Sequence, residues 1–462
     1  MSSGPAQDEV RRLLGLIEDV DPQIRSVNAV NSHALAEAET LDRETAQGRQ
    51  RSPLHGRAVL VKDNIDTAGL ASTAGSLALA DVPPDLDAPL VRRLRAAGMV
   101  VLGKTNLSEW ANIRDEHSTS GWSAHGGLTR NPYGLNRTAW GSSSGSGAAV
   151  AARLASFAIG TETNGSITAP AAACGVVGLK PTVGRVSTEG VVPISWTQDS
   201  PGPMALTVAD TAALLDVLAG TDTATTLGEG VRGRRVGVPR DVWGYSPAAD
   251  AAGERAISTL SASGVEIVDN IAMPALKELD EEHELMLMLV ELKVALAQYL
   301  GGRGGEVKTL DDVIAFNRAN AKQELQWFGQ SLLEKAAETE GVSSPEYLKA
   351  VEACTAAGIT ELDRVLREHD LDALIAPSTA PATPIDLVNG DSYHGGCTDS
   401  SALAGAPILT VPVSLVRGMP VAVSLWGSRN DEAVLLRLGQ AVETGRDAAT
   451  GPLAAPTFPE WV

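Results

Sequence analysis

The sequence predicts an α/β protein. A mixed central β-sheet carries helices on both faces, and a helical excursion interrupts it before the sheet is complete. Three observations support this. Between about residues 56 and 220, short apolar runs alternate with helix-spaced segments, the rhythm of strand–helix–strand units. From about 275 to 370 only helical spacing remains. From about 371 to 446 strands return and a helix follows. Because strands reappear after the excursion, residues 1–462 read as one domain with an inserted layer rather than as two.

The elements follow in order. Val10, Leu13, Leu14 and Ile17 fall at helical spacing among charges, which predicts an amphipathic surface helix. "RAVLV" is a short apolar, β-branched run ending at Lys62, a buried strand. "DAPLVRRLRAAG" has helical periodicity and a closing Gly98; "MVVLG" is the next strand. "SGSGAAVAARLAS" predicts a helix of small residues able to pack closely, and "CGVVGLKPT" a strand and turn. "GVRGRR" near Gly230 reads as a loop. "EEHELMLMLVELKVALAQYL" and "YLKAVEACTAAGITELDRVLREH" supply the excursion. "ALIAP", "PILTVPVSL" and "MPVAVSLWG" are the returning strands, and Asn430 is placed as the N-cap of "DEAVLLRLGQAVE".

Composition narrows the function. Asp and Glu number 57 against 37 Lys and Arg, a formal charge of −20. So negative a surface repels phosphate and disfavours nucleic acid and anionic membrane as partners. The most apolar run, "LMLMLV", is too short to span a bilayer. Three widely separated cysteines, Cys174, Cys354 and Cys397, suit a reducing compartment, and no secretory leader is read; the expected location is the cytoplasm. The histidines form no HxxxH or HxH set and no CxxC occurs, so no metal is expected. No glycine-rich phosphate loop follows a strand, and no cofactor is expected.

Three polar stretches carry candidate chemistry. In "VLVKDNI" Lys62 ends a buried strand, where desolvation lowers a lysine's pKa and makes it a candidate general base. The alternative is a solvated pair with Asp63. In "WGSSSGSGAAVAARLAS" three serines between glycines open a helix. Gly141 to Gly145 also satisfies GxSxG around Ser143, which leaves open an α/β-hydrolase-type esterase using His369 or His394. In "TETNGSITAP", Asn164 and Gly165 both tolerate positive φ, so backbone N–H groups can converge beside Ser166 and form an oxyanion hole. The alternative is a turn serine.

Together the three stretches resemble the amidase signature family. That family carries a GGSSGGS-type segment, then a GGSI motif whose serine lies 24 positions after the first serine of the pair; Ser166 stands 24 after Ser142. "LVKDNIDTAGLASTAGS" is similar to its lysine segment, "GAPILTVPVSLVRGMPVAVSLWG" to its closing strands, and "VNAVNSHALAEAETLDRE" to its leading helix. "STSGWSAHGGLTRNPYG" and "IGTETNGSI" are most like bacterial peptide amidases.

The resemblance implies the family's fold, with the excursion over the pocket, and a cofactor-independent amidohydrolase acting through a seryl acyl-enzyme on small-molecule or peptide amides. It implies Ser166 as nucleophile, Ser142 as the bridging serine after a cis bond, and Lys62 as base. It gives the backbone of Thr163, Asn164, Gly165 and Ser166 as the oxyanion hole. Ala111 matches a position whose backbone contacts substrate in a member that hydrolyses fatty amides. The sequence departs from the family pattern at Trp140, Ser144, Glu162, Asn164 and Thr168, outside the triad. The family also includes the amidase component of tRNA-linked amidotransferases, which stays an alternative. The acyl specificity and oligomeric state stay open.

Overall fold

The computed structural model describes residues 4–460. Eleven strands form one mixed sheet: β1 Val27–Val30, β2 Ala58–Lys62, β3 Val100–Thr105, β4 Phe157–Glu162, β5 Val177–Lys180, β6 Ser200–Ala205, β7 Arg235–Gly237, β8 Glu266–Val268, β9 Ala373–Pro377, β10 Ile408–Val416 and β11 Met419–Trp426. Their spatial order is β1-β3-β2-β4-β6-β5-β10-β11-β9-β7-β8. The pairs β2–β3, β2–β4, β7–β9 and β7–β8 are parallel; the remaining neighbours are antiparallel.

Period-2 alternation assigns the strand residues to two apolar layers. Val59, Val61, Phe157 and Ile159 join one cluster, against helices Pro89–Ala96, Val208–Ala219, Pro247–Ala262 and Glu432–Thr450. Ala58, Leu60 and Ala158 join the other, against helices Pro5–Ile24, Ala34–Ala46, Ser144–Ala151 and Thr168–Cys174. Because both faces are covered, the central strands read as continuous apolar runs. The excursion runs from helix Pro274–Lys277 to helix Glu361–Glu368 with no strand between, and it holds much of its own apolar core around Leu292, Leu296 and Leu333. Among the described residues no helix is long and apolar enough to cross a membrane.

Several local readings are corrected. Val27–Val30 is edge strand β1, not helix; the helix begins at Ala34. The "GVRGRR" loop runs into β7 at Arg235, whose neighbour Arg234 pairs with Asp372 at 2.6 Å. Strand β6, "SPGPMA", is a central strand despite two prolines, which disfavour that position. It survives there because β4 ladders its full length, whereas β5 pairs only with Met204 and Ala205, beyond both prolines. The last helix is capped at Asp431, not Asn430, which sits at φ 71, and it continues to Thr450.

Candidate active site

Lys62 follows Ala58 and Leu60 in the alternation, so it belongs to the sheet face covered by helix Ser144–Ala151. It is fully buried. Its Nζ donates to Ser142 Oγ at 2.7 Å, to Thr161 Oγ1 at 2.8 Å and to the Thr161 carbonyl at 3.2 Å. Burial presses its pKa down to about 7, against the opposing pull of Asp199 and Glu162. A solvated Lys62–Asp63 pair does not form. Asp63 turns to Thr73 Oγ1 at 2.5 Å and Asn28 Nδ2 at 3.1 Å, and stands 3.9 Å from buried Lys104.

Ser142 is buried, and the Gly141–Ser142 peptide is cis. A Cβ on Gly141 would lie 2.1 Å from Ser108 Oγ, so only glycine fits there. The Ser142 carbonyl accepts the Ser108 N–H at 3.1 Å. Ser143 is a brace. Its hydroxyl donates to the Thr161 carbonyl at 3.0 Å and accepts the Thr161 N–H at 3.1 Å. It is fully buried, and among the described residues no histidine bonds it; His394 lies beside Ser392, and His369 ends helix Glu361–Glu368. The Ser143 esterase reading therefore lacks its base.

The Ser166 turn is folded by Glu162, whose buried carboxylate accepts the N–H groups of Ile167 at 2.7 Å and Thr168 at 2.8 Å. The chain doubles back, and the Ser166 carbonyl accepts the Ser143 N–H at 3.0 Å, which ties the turn to the residue after Ser142; among the described residues the Ser142 and Ser166 hydroxyls are not hydrogen-bonded to each other. Ser166 is 8% exposed. Only Gly165 takes positive φ, 82°; Asn164 does not share it. Among the described residues no acceptor takes the N–H of Asn164, Gly165 or Ser166. Thr163 Oγ1 donates to Asp199 at 2.6 Å. Asp199 also accepts the N–H groups of Ile194 at 2.8 Å and Ser195 at 3.0 Å, and burial raises its pKa to about 6. No pattern in "WTQDSPG" announced Asp199.

Ala111 lies in a small cavity with Asn64, Thr161, Thr163 and Asp199. It is the middle of three successive left-handed residues, Trp110, Ala111 and Asn112, at φ 49, 53 and 72. That region costs a side-chain-bearing residue roughly 1–2 kcal/mol and persists where surroundings enforce it. The turn is flanked by a fully buried Glu109–Arg114 ion pair at 2.5 Å. Arg114 lies 3.9 Å from the Phe328 ring centroid and 5.0 Å from that of Trp122. It also donates to the carbonyls of Glu324, Phe328 and Gly329, all in the excursion.

A cavity of about 320 Å³ opens over Gly165. Its wall includes Thr379, Asp391, Tyr393 and Asp399, from the segment that follows the excursion. The excursion reaches the site at Glu284, which accepts from Asn164 Nδ2 at 3.0 Å and Gln198 Nε2 at 2.7 Å.

The sequence profile of the family described as Amidase matches residues 8–436. The fold is similar to native peptide amidase from Stenotrophomonas maltophilia, with TM-score 0.90 and 43% identity over 98% of this chain and 95% of that one. A probable amidase of Arabidopsis thaliana is 34% identical over 94% of this chain and 85% of its own length. A glutamyl-tRNA(Gln) amidotransferase component of Myxococcus xanthus is 35% identical over 97% of this chain and 96% of its own length. With an eleven-stranded mixed sheet, a buried lysine bonded to a serine after a cis peptide, and these likenesses over nearly its whole length, the chain belongs to the amidase family and is a hydrolase acting on amides.

Proposed function

We propose that the chain hydrolyses C-terminal carboxamides of short peptides through an acyl-enzyme on Ser166. The observation that carries the reading is the 2.7 Å bond from buried Lys62 to Ser142. A lysine with a pKa near 7 is partly neutral at neutral pH. Its lone pair takes the Ser142 proton as Ser142 takes that of Ser166. Ser166 Oγ then bonds to the amide carbon. The proton returns through Ser142 to the nitrogen, the C–N bond breaks, and ammonia leaves. Water attacks the ester with the same relay as base and frees Ser166. The N–H groups of the turn from Thr163 to Ser166 are the donors for the oxyanion, each worth about 3 kcal/mol at the transition state. Ala111, held beside Thr163, is assigned to orient the substrate backbone.

The peptide-amide class is supported by the likeness to peptide amidase. The test is a hydrolysis screen over capped dipeptide amides, free amino-acid amides, aryl amides and oleamide, with ammonia and amine release measured separately. The capped dipeptide amide is expected to show the highest kcat/KM; a preference for oleamide overturns the substrate class. The likeness to the amidotransferase component favours a second reading, in which the chain works with partners on charged tRNA. Turnover by the purified lone chain counts against it. The three buried, unpaired cysteines support a cytoplasmic location.

A further inference from the structure

The cavity over Gly165 carries a charge arrangement that the relay does not use. Its lining includes Asp391 and Asp399 and contains no lysine or arginine. Asn164 Nδ2 bridges Asp399 at 3.0 Å to Glu284 at 3.0 Å, so three carboxylates gather at this side of the Ser166 turn. Burial pushes the pKa of Glu284 to about 7, and its acidic neighbours Asp399 and Glu281 add to the rise. Other acids near the Ser166 turn differ: Asp199 and Glu162 are held by hydrogen-bond donors, while two more have cations. Glu109 has Arg114 and Asp66 has Arg303. These three have no such partner among the described residues.

Trp140 and Asn112 also line the cavity. Trp140 is 4% exposed, and its indole N–H has no partner. Asn112 Nδ2 is spent on Ser120 Oγ at 3.1 Å, while its Oδ1 accepts nothing. Trp140 and Tyr393 meet edge to face at 5.8 Å, which places aromatic rings beside the carboxylates. Unmatched anions and π faces together describe the counterpart of an ammonium or guanidinium group.

Resting on the amide-hydrolase reading above, we propose that this cavity selects amides whose acyl part carries a positive charge, a protonated amine or guanidinium on one of the two residues nearest the scissile amide. Acidic acyl groups meet like charge and are rejected.

The test compares kcat/KM for N-acetyl-Ala-Lys amide and N-acetyl-Lys-Ala amide, each beside its Nε-acetyl-lysine and glutamate counterparts, at low and high salt. In at least one series lysine exceeds acetyl-lysine by about tenfold or more, glutamate is slowest, and the ratio shrinks with salt. Turnover of the neutral substrates without a lysine preference in either series overturns this inference and leaves amide hydrolysis standing. Failure to hydrolyse any amide overturns both. In the variant Asp391→Asn/Asp399→Asn the lysine-to-acetyl-lysine ratio falls towards one; an unchanged ratio overturns the assignment to these carboxylates. The wild-type comparison needs no variant, so it stands even where the double variant fails to fold.

Discussion

The Lys62–Ser142–Thr161 centre and the Asp391–Asp399 cavity flank the same short turn, yet they are built on opposite principles. In the first, Lys62 and Thr161 sit on central strands and Ser142 just before a buried helix; Lys62 and Ser142 are fully buried, and Lys62 Nζ is engaged by three oxygens. The second is carried by coil and a short helix, with both carboxylates exposed and unmatched by any cation. Desolvation can shift a lysine by several pKa units only where water is excluded, so the proton relay belongs in the core. Selection among substrates needs groups that meet the ligand and can vary without unfolding the sheet, so it belongs on the rim.

The sharpest way to break this division is Ser166→Ala. Turnover and labelling by a fluorophosphonate should fall by more than about a thousandfold while the melting temperature stays within a few degrees. Residual activity within about tenfold of wild type removes Ser166 from the mechanism.

The pH profile tests the core half directly. In the proposed relay neutral Lys62 is the active form, and its pKa is depressed to about 7. Wild-type kcat/KM should therefore rise with pH through that value and fall off below it, as the protonated amine loses its lone pair. Lys62→Met should lose most of the activity and, in what remains, the acid limb. A wild-type profile flat from about pH 5 to 9 contradicts the relay.

A third experiment asks how far burial extends from the relay. Arg114→Leu leaves Glu109 buried without its cation, and should cost about 3–5 kcal/mol of stability by denaturant unfolding. Glu109→Gln/Arg114→Leu should recover part of that loss. KM for a capped dipeptide amide should rise more than kcat falls, because the pair flanks the Ala111 turn rather than the proton path. The smallest effect is on the rim: Asp399→Asn is exposed and should change stability by less than about 0.5 kcal/mol.

The sequence by itself determined whatever a short window can encode. Strand β2 and its terminal Lys62, the small-residue helix after the serine segment, the excursion, and the strands β9, β10 and β11 were all legible in apolar periodicity. The three residues proposed for the relay were singled out by motif order and spacing. What failed locally depended on a distant partner. Val27–Val30 is a strand because β3 offers an open edge, and "SPGPMA" is a strand because β4 ladders it. Asp199, Glu284, Asp391 and Arg114 carried no pattern at all. Each draws its role from a residue far away in the chain: Thr163 for Asp199, Asn164 for Glu284, Ser120 for Asp391, and Phe328 for Arg114. Periodicity reports which face of an element is apolar, because one stretch of chain sets that. Which charges share a site depends on how faces from separate stretches are laid together, and only tertiary packing decides that.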